Sequence, residues 1–182
     1  MEDVQSREQV EKILISKNYP DFKWIDPKEI VVSQWVRMKC RFGCSEYGHG
    51  GACPPQTPSV AECREFFSEY TAAVILHFEG RMEKPEDRHT WSPKINAGLV
   101  ELERVVFTAG FERAFLLFMD SCGFCKDCPG DRESCKQPGM ARPAPEAMAV
   151  DVYSTVRKVG YPIHVLSDYD QAMNRYAFLM VH

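Results

Sequence analysis

The chain has 182 residues, about one large domain and enough to bury a core of its own. Its 22 Lys and Arg stand against 26 Asp and Glu, a net charge of −4, so it lacks the basic field that steers proteins to nucleic acid. No run of about 18 apolar residues is present to span a membrane, and the polar opening MEDVQSREQVEK has no signal-peptide core. The expectation is a soluble, cytoplasmic, single-domain protein over residues 1–182.

In chain order, Ser6-Arg7-Glu8-Gln9 has the pattern of a capping box, followed by Val10, Ile13 and Leu14 on one helical face. EIVVSQWVRM, residues 29–38, mixes β-branched and aromatic residues and predicts a strand leading into Cys40. Ser59 and Glu62 form a second capping box. Its helix runs to about Tyr70, with Val60, Cys63, Phe66, Phe67 and Tyr70 on one side. TAAVILHFE, residues 71–79, is a short apolar run suited to a buried strand.

Ser92-Pro93 predicts a helix start, with Gly110 as its stop. RAFLLFMD, residues 113–120, reads as a buried strand ending at a cysteine-rich loop. Residues 145–159 predict a further helix closed by Gly160, and PIHVLS (162–167) and RYAFLMVH (175–182) predict two more strands. The pattern is an α/β (α+β) sandwich: a small sheet of about four to five strands flanked by helices, with two cysteine-rich loops.

Those loops carry the chemistry. The cysteine-rich segments span residues 40–63 and 121–144, and much of each lacks helical or strand periodicity. Irregular stretches of this length inside a compact domain are uncommon unless they serve a function or are disordered. Cytosolic thiols stay reduced, so eight cysteines point to metal binding or redox chemistry more than to disulfides. Metal–thiolate bonds would offset the entropy of ordering loops that have no oily core.

Cys122, Cys125, Cys128 and Cys135 have the spacing C-x2-C-x2-C-x6-C, with Cys135 either the fourth ligand of this set or, as in two-cluster ferredoxins, a ligand of the other. Three cysteines at successive two-residue gaps wrap a backbone round a compact cube, as in ferredoxins. Zinc sites more often use two separated pairs. Gly123 and Gly130 permit the turns this requires. Cys40, Cys44 and Cys53 give a less specific C-x3-C-x8-C, closed by Cys63 or His49 or else leaving an iron open to substrate. Cys63 also lies on the apolar side of its helix, where cysteine serves as a small hydrophobe.

Arg37, Lys39 and Arg41 flank Cys40 and form either a solvated face or a thiolate-stabilising one. An ion pair between Arg142 and Asp151 is possible, and Trp35, Trp91 and Tyr47 either shield a cluster or fill the core. His77 and His164 read as packed or hydrogen-bonded, and His89 and His182 carry no signal.

CRFGCSEYGHGGACPP, then SCGFCKDC, CKQP and ARPAPEAMAVDV, then GYPIHVL, resemble the "predicted metal-binding protein" family, domain of unknown function 2284. The likeness runs from about Ile30 to the end. It implies metal binding, iron–sulfur content and an anaerobic archaeal or bacterial setting, without an established reaction. By position the implied ligands are Cys40, Cys44 and Cys53, then Cys122, Cys125, Cys128 and Cys135, with Cys63 outside the pattern. Ala144 stands where the family usually has serine, which predicts a helix without its usual cap, a loss of roughly 1 kcal/mol.

Three functional readings follow from these residues. The leading one is a protein with one or two [4Fe-4S] clusters, passing electrons to or from a redox partner protein or enzyme complex in anaerobic metabolism. The second is an enzyme using an open-iron cluster on a small molecule. The third is a structural zinc module.

Overall fold

The structure, a computed structural model, describes residues 2–168 and 171–182. Along the chain run α1 (Glu2–Ser16), β1 (Phe22–Ile25), α2 (Gln34–Gly43), α3 (Val60–Ser68), β2 (Ala73–Gly80), α4 (Arg88–Thr108), β3 (Phe115–Leu117), α5 (Val152–Lys158) and β4 (Met173–Met180). The four strands form one open sheet in the order β1-β2-β4-β3, every neighbouring pair antiparallel.

Side chains alternate across a strand, and here both faces are covered. Val74 and Leu76 of β2 and Ala177 and Leu179 of β4 pack beneath Val10 and Leu14 of α1 and Leu99, Leu102 and Val106 of α4. Ala73, Ile75, Phe178 and Met180 face the other way, onto Cys63 and Phe67 of α3 and Val152 and Val156 of α5. Double coverage explains why AVIL and YAFLM are near-continuous apolar runs rather than alternating ones. Each fully buried Leu, Ile or Phe there contributes roughly 1.5–3 kcal/mol. The expected α+β sandwich is the observed fold.

Several local expectations are corrected. Ser6 lies inside α1, which starts at Glu2, so no capping box opens the helix there. Residues 29–38 are not a strand: Val32 makes only an isolated bridge to Val150, and Ser33 is the N-cap of α2. Their β-branched run is confined to residues 30–32, too short to hold an edge against the helical stretch that follows. The helix expected from Ser92 starts at Arg88 and carries Pro93 inside it, near enough to its start to remove only one early backbone bond. Gly110, at φ 104°, follows its end as expected.

Residues 162–167 form no strand, and Val165 there is 79% exposed. The fourth strand is instead Phe22–Ile25, four residues between Asp21 and the turn at Pro27 and too short to show a period. The helix expected over residues 145–159 is broken: a 3-10 turn at Glu146–Met148 ends on Ala149 in the left-handed region, φ 60°. Asp151 then caps α5 by accepting from the Ser154 N–H. Asp151 therefore supplies that helix's cap, and Ala144 costs it nothing.

The second cysteine segment is an excursion from the end of β3 with a closed neck. Phe118 N–H donates to Pro143 O at 2.9 Å. One turn of sequence back, the buried Glu103 carboxylate accepts from Leu116 N–H at 2.8 Å and from the Arg142 guanidinium, with the shortest N–O distance 2.7 Å. Arg142 thus pairs with Glu103, not with Asp151.

Candidate metal centre

Each cysteine segment is ordered by its own turns and by the other. In the first, Cys40 and Cys44 sit one helical turn apart at the end of α2, Cys44 being its C-cap. The chain then turns through Glu46, whose carbonyl accepts from His49 and Gly50, and Gly50 O accepts from Cys53 N–H at 2.9 Å. In the second, Lys136 Nζ donates to Asp127 O at 2.9 Å, and Asp131 Oδ1 accepts from Ser134 N–H at 2.8 Å. Asn96 of α4 holds the start of this loop through Ser121 O at 3.1 Å, and Phe124 packs edge-on against Phe118.

The two segments interlock at glycines. Gly51 N–H donates to Cys128 Sγ at 3.4 Å, and a Cβ on Gly51 would lie 2.8 Å from Asp131 O. Gly130, at φ +86°, sits with its Cα side against Gly48 O, where a Cβ would come within 3.2 Å. Only glycine permits that approach of two backbones. Cys53 of the first segment is thereby brought within electrostatic reach of Cys122 of the second.

The gathering is specific. Cys122, Cys125, Cys128 and Cys135 all line one cavity of about 70 Å³, and Cys53 of the first segment stands in the same wall with Glu46. That is several times the about 10–15 Å³ a single water needs. Among the described residues, no three His, Cys, Asp or Glu side chains are drawn close enough together to hold one metal ion. The thiols surround a space rather than a point. All eight cysteines are free, Cys44 and Cys128 exposed, and Cys40, Cys53, Cys122, Cys125 and Cys135 half-buried.

Their electrostatics are those of crowded thiols. Burial pushes Cys53 up to about 12, and Glu46 and the Cys44, Cys40 and Cys122 thiols push the same way. Burial raises Cys122 too, reinforced by Cys135, Cys125 and Cys128, while the Phe124 N–H works against it. Cys40 is raised by burial and Cys44, and lowered by Arg37. Thiols raised in this way ionise readily only when cationic charge is brought among them, which a bound metal would supply.

Cys63 is placed differently. It is fully buried on α3 within the core, its Sγ 3.5 Å from Pro58 O and 3.9 Å from an Arg37 nitrogen. No other cysteine is among the groups that set its ionisation. Arg37 is no solvated side chain: it donates to Thr57 Oγ1, Pro58 O and Ala147 O. Its Nε is buried without a partner. Lys39 and Arg41 do face solvent, over the exposed rings of Trp35 and Phe42. Trp91 packs partly buried beside the α1–α4 core. His77 bonds Asp21 at 2.6 Å and Asn174 at 2.7 Å, away from the cysteines.

Sequence reasoning overlooked Glu46. Its position two residues after Cys44 is a weak signal, yet its carboxylate is the first charge felt by Cys53. His49 lines a larger cavity next door, shared with Cys125 and Cys128.

An α+β sandwich that folds two thiol-bearing loops into one body defines a cysteine-rich protein of the metal-binding class. The chain belongs to the family described as "Predicted metal-binding protein (DUF2284)", whose pattern matches residues 23–181. No curated protein and no solved structure matches it. No helix among the described residues is long and apolar enough to cross a membrane.

Proposed function

We propose that the metal is iron with inorganic sulfide, and that the protein is an electron carrier. Cys122, Cys125, Cys128 and Cys135 would hold one [4Fe-4S] cluster; Cys40, Cys44 and Cys53 would hold a second centre beside it. The observation that carries this reading is the cavity walled by all four thiols of the C-x2-C-x2-C-x6-C run. A cube of four irons takes one thiolate at each corner, and this spacing is the one ferredoxins use to wrap it.

Other features fit the same role. Gly51 N–H on Cys128 Sγ, and Gln137 Nε2 at 3.8 Å from Cys125 Sγ, would stabilise thiolate charge and so tune the potential. The interlocked loops limit reorganisation when charge changes. Exposed Cys44 and Cys128 give each centre a short path to a docked redox partner. The setting we infer is cytoplasmic and anaerobic. Protein prepared without oxygen should absorb broadly near ~400 nm and bleach with dithionite. Reduction should give a paramagnetic resonance signal. A colourless protein holding only zinc would end the reading.

One observation favours a second reading for the first centre. With Cys63 in the core, only three thiols remain there, and one metal position is left for Glu46 or for a substrate. An enzyme built on that open position would show one resonance signal, not both, shifting when small-molecule ligands are added.

A further inference from the structure

A second, larger cavity lies against the outer side of the Cys125–Cys128 turn. It measures about 600 Å³, bounded by residues 46–49 of the first loop, residues 120–130 of the second and the start of α4. Small-molecule sites occupy about 300–1,000 Å³. Cys125 and Cys128 stand in its wall with Arg88, Lys126, His49 and His89. None of these four basic side chains makes a hydrogen bond or ion pair with another described residue.

The wall's acids sort into two kinds. Asp120 is spoken for: Oδ2 accepts from Ser92 Oγ at 3.0 Å and Oδ1 from Ser121 N–H at 2.8 Å. Glu46 and Asp127 have no side-chain partner of this kind. Two permanent cations and two imidazoles therefore line one cavity with two carboxylates that accept no hydrogen bond from another described residue. An apolar ligand would leave all of them unpaired, and a simple anion would leave the carboxylates so. A molecule bearing both an oxyanion and hydroxyl or amino donors satisfies both sets. Arg88 offers the planar fork that matches a carboxylate or phosphate.

We propose that this cavity binds a small organic acid carrying hydroxyl or amino groups, its carboxylate or phosphate on Arg88 and Lys126 and its other end against Cys125 and Cys128. The cavity and its charges stand without any metal; that the bound molecule meets a redox centre rests on the proposed cluster.

The test is isothermal titration of the full chain, purified without oxygen, with citrate and with glycerol phosphate, against sodium chloride as control. Iron, sulfide and the resonance spectrum are measured on the same samples. The expected result is saturable binding of at least one probe, weakened tenfold or more in Arg88→Ala and in Lys126→Ala. Metal content and circular dichroism should not change in Arg88→Ala, because the Arg88 side chain is exposed at the helix start and bonds no described residue. A carboxylate site prefers citrate, a phosphate site glycerol phosphate. Saturation should also shift the resonance of the reduced protein. Binding of neither probe, or binding that both variants leave intact, overturns the inference while the cluster reading stands. Binding that survives in a protein with no iron or sulfide overturns the cluster and leaves the cavity assigned.

Discussion

Replacing Cys63 by alanine separates packing from ligation at a cysteine whose role the spacing leaves open. The side chain is fully buried between α3 and the sheet, so the substitution deletes one core atom and leaves a small void. The transfer loss is about 0.8 kcal/mol, as for a methylene, and the unfilled cavity adds a comparable penalty, about 1–2 kcal/mol in all. In a chain of this size each kcal/mol moves Tm by about 2–4 °C, so a fall of about 2–8 °C is expected. Thermal unfolding under argon, paired with iron and sulfide analysis, reads both quantities. Metal content should equal that of the unaltered protein. Loss of iron with Tm unmoved would refute the placement of Cys63 in the core and return it to the ligand set.

The remaining expectations concern the loops and their anchors. Cys125→Ser should cut iron and sulfide by half or more while far-ultraviolet circular dichroism stays unchanged, since the sheet and helices fold without that loop's thiols. Gly51→Ala drives a methyl to 2.8 Å from Asp131 O and should part the two loops, seen as faster iron loss to a chelator. Arg142→Ala strands the buried Glu103 carboxylate and should cost about 3 kcal/mol or more, read as a lower urea midpoint at unchanged m. Tyr161 is pushed well above the ordinary phenol value by burial and by its hydrogen bond to Asp21. Its folded pKa being raised, the stability it contributes is whole below about pH 10 and lost as the pH climbs further. Ultraviolet titration should show Tyr161 ionising late, and earlier in Asp21→Asn.

The sheet was legible where strands are buried on both faces. AVIL and YAFLM are too apolar and too short for anything else, and they are the two central strands. The edge strand β1 was not legible, whereas the other edge, β3, lies inside the RAFLLFMD run. Four residues with Lys23 among them make β1 only because β2 offers a partner, while PIHVLS has the composition of a strand and no neighbour to pair with. Helix starts suffered similarly: the Ser59 capping box formed as written, with both reciprocal bonds, whereas the same pattern at Ser6 was overrun by helix-forming residues before it.

At the site, spacing pointed to Cys122, Cys125, Cys128 and Cys135 as one set but not to the approach of Cys53 and Glu46. The contact of Gly51 with Cys128, and of Gly130 with Gly48, joins segments some 80 residues apart. Glycines in each loop hint at close approach without naming the partner. Glu46 has no pattern to mark it, and Cys63 fits a ligand list until α3 turns it inward.

Iron and acid-labile sulfide, counted per chain on protein purified without oxygen, test the central claim most directly. The account predicts both, in roughly equal amounts, and their joint loss in a Cys122→Ser, Cys125→Ser double variant. Stoichiometric zinc without sulfide, or protein purified without oxygen that holds neither iron nor sulfide, would contradict it.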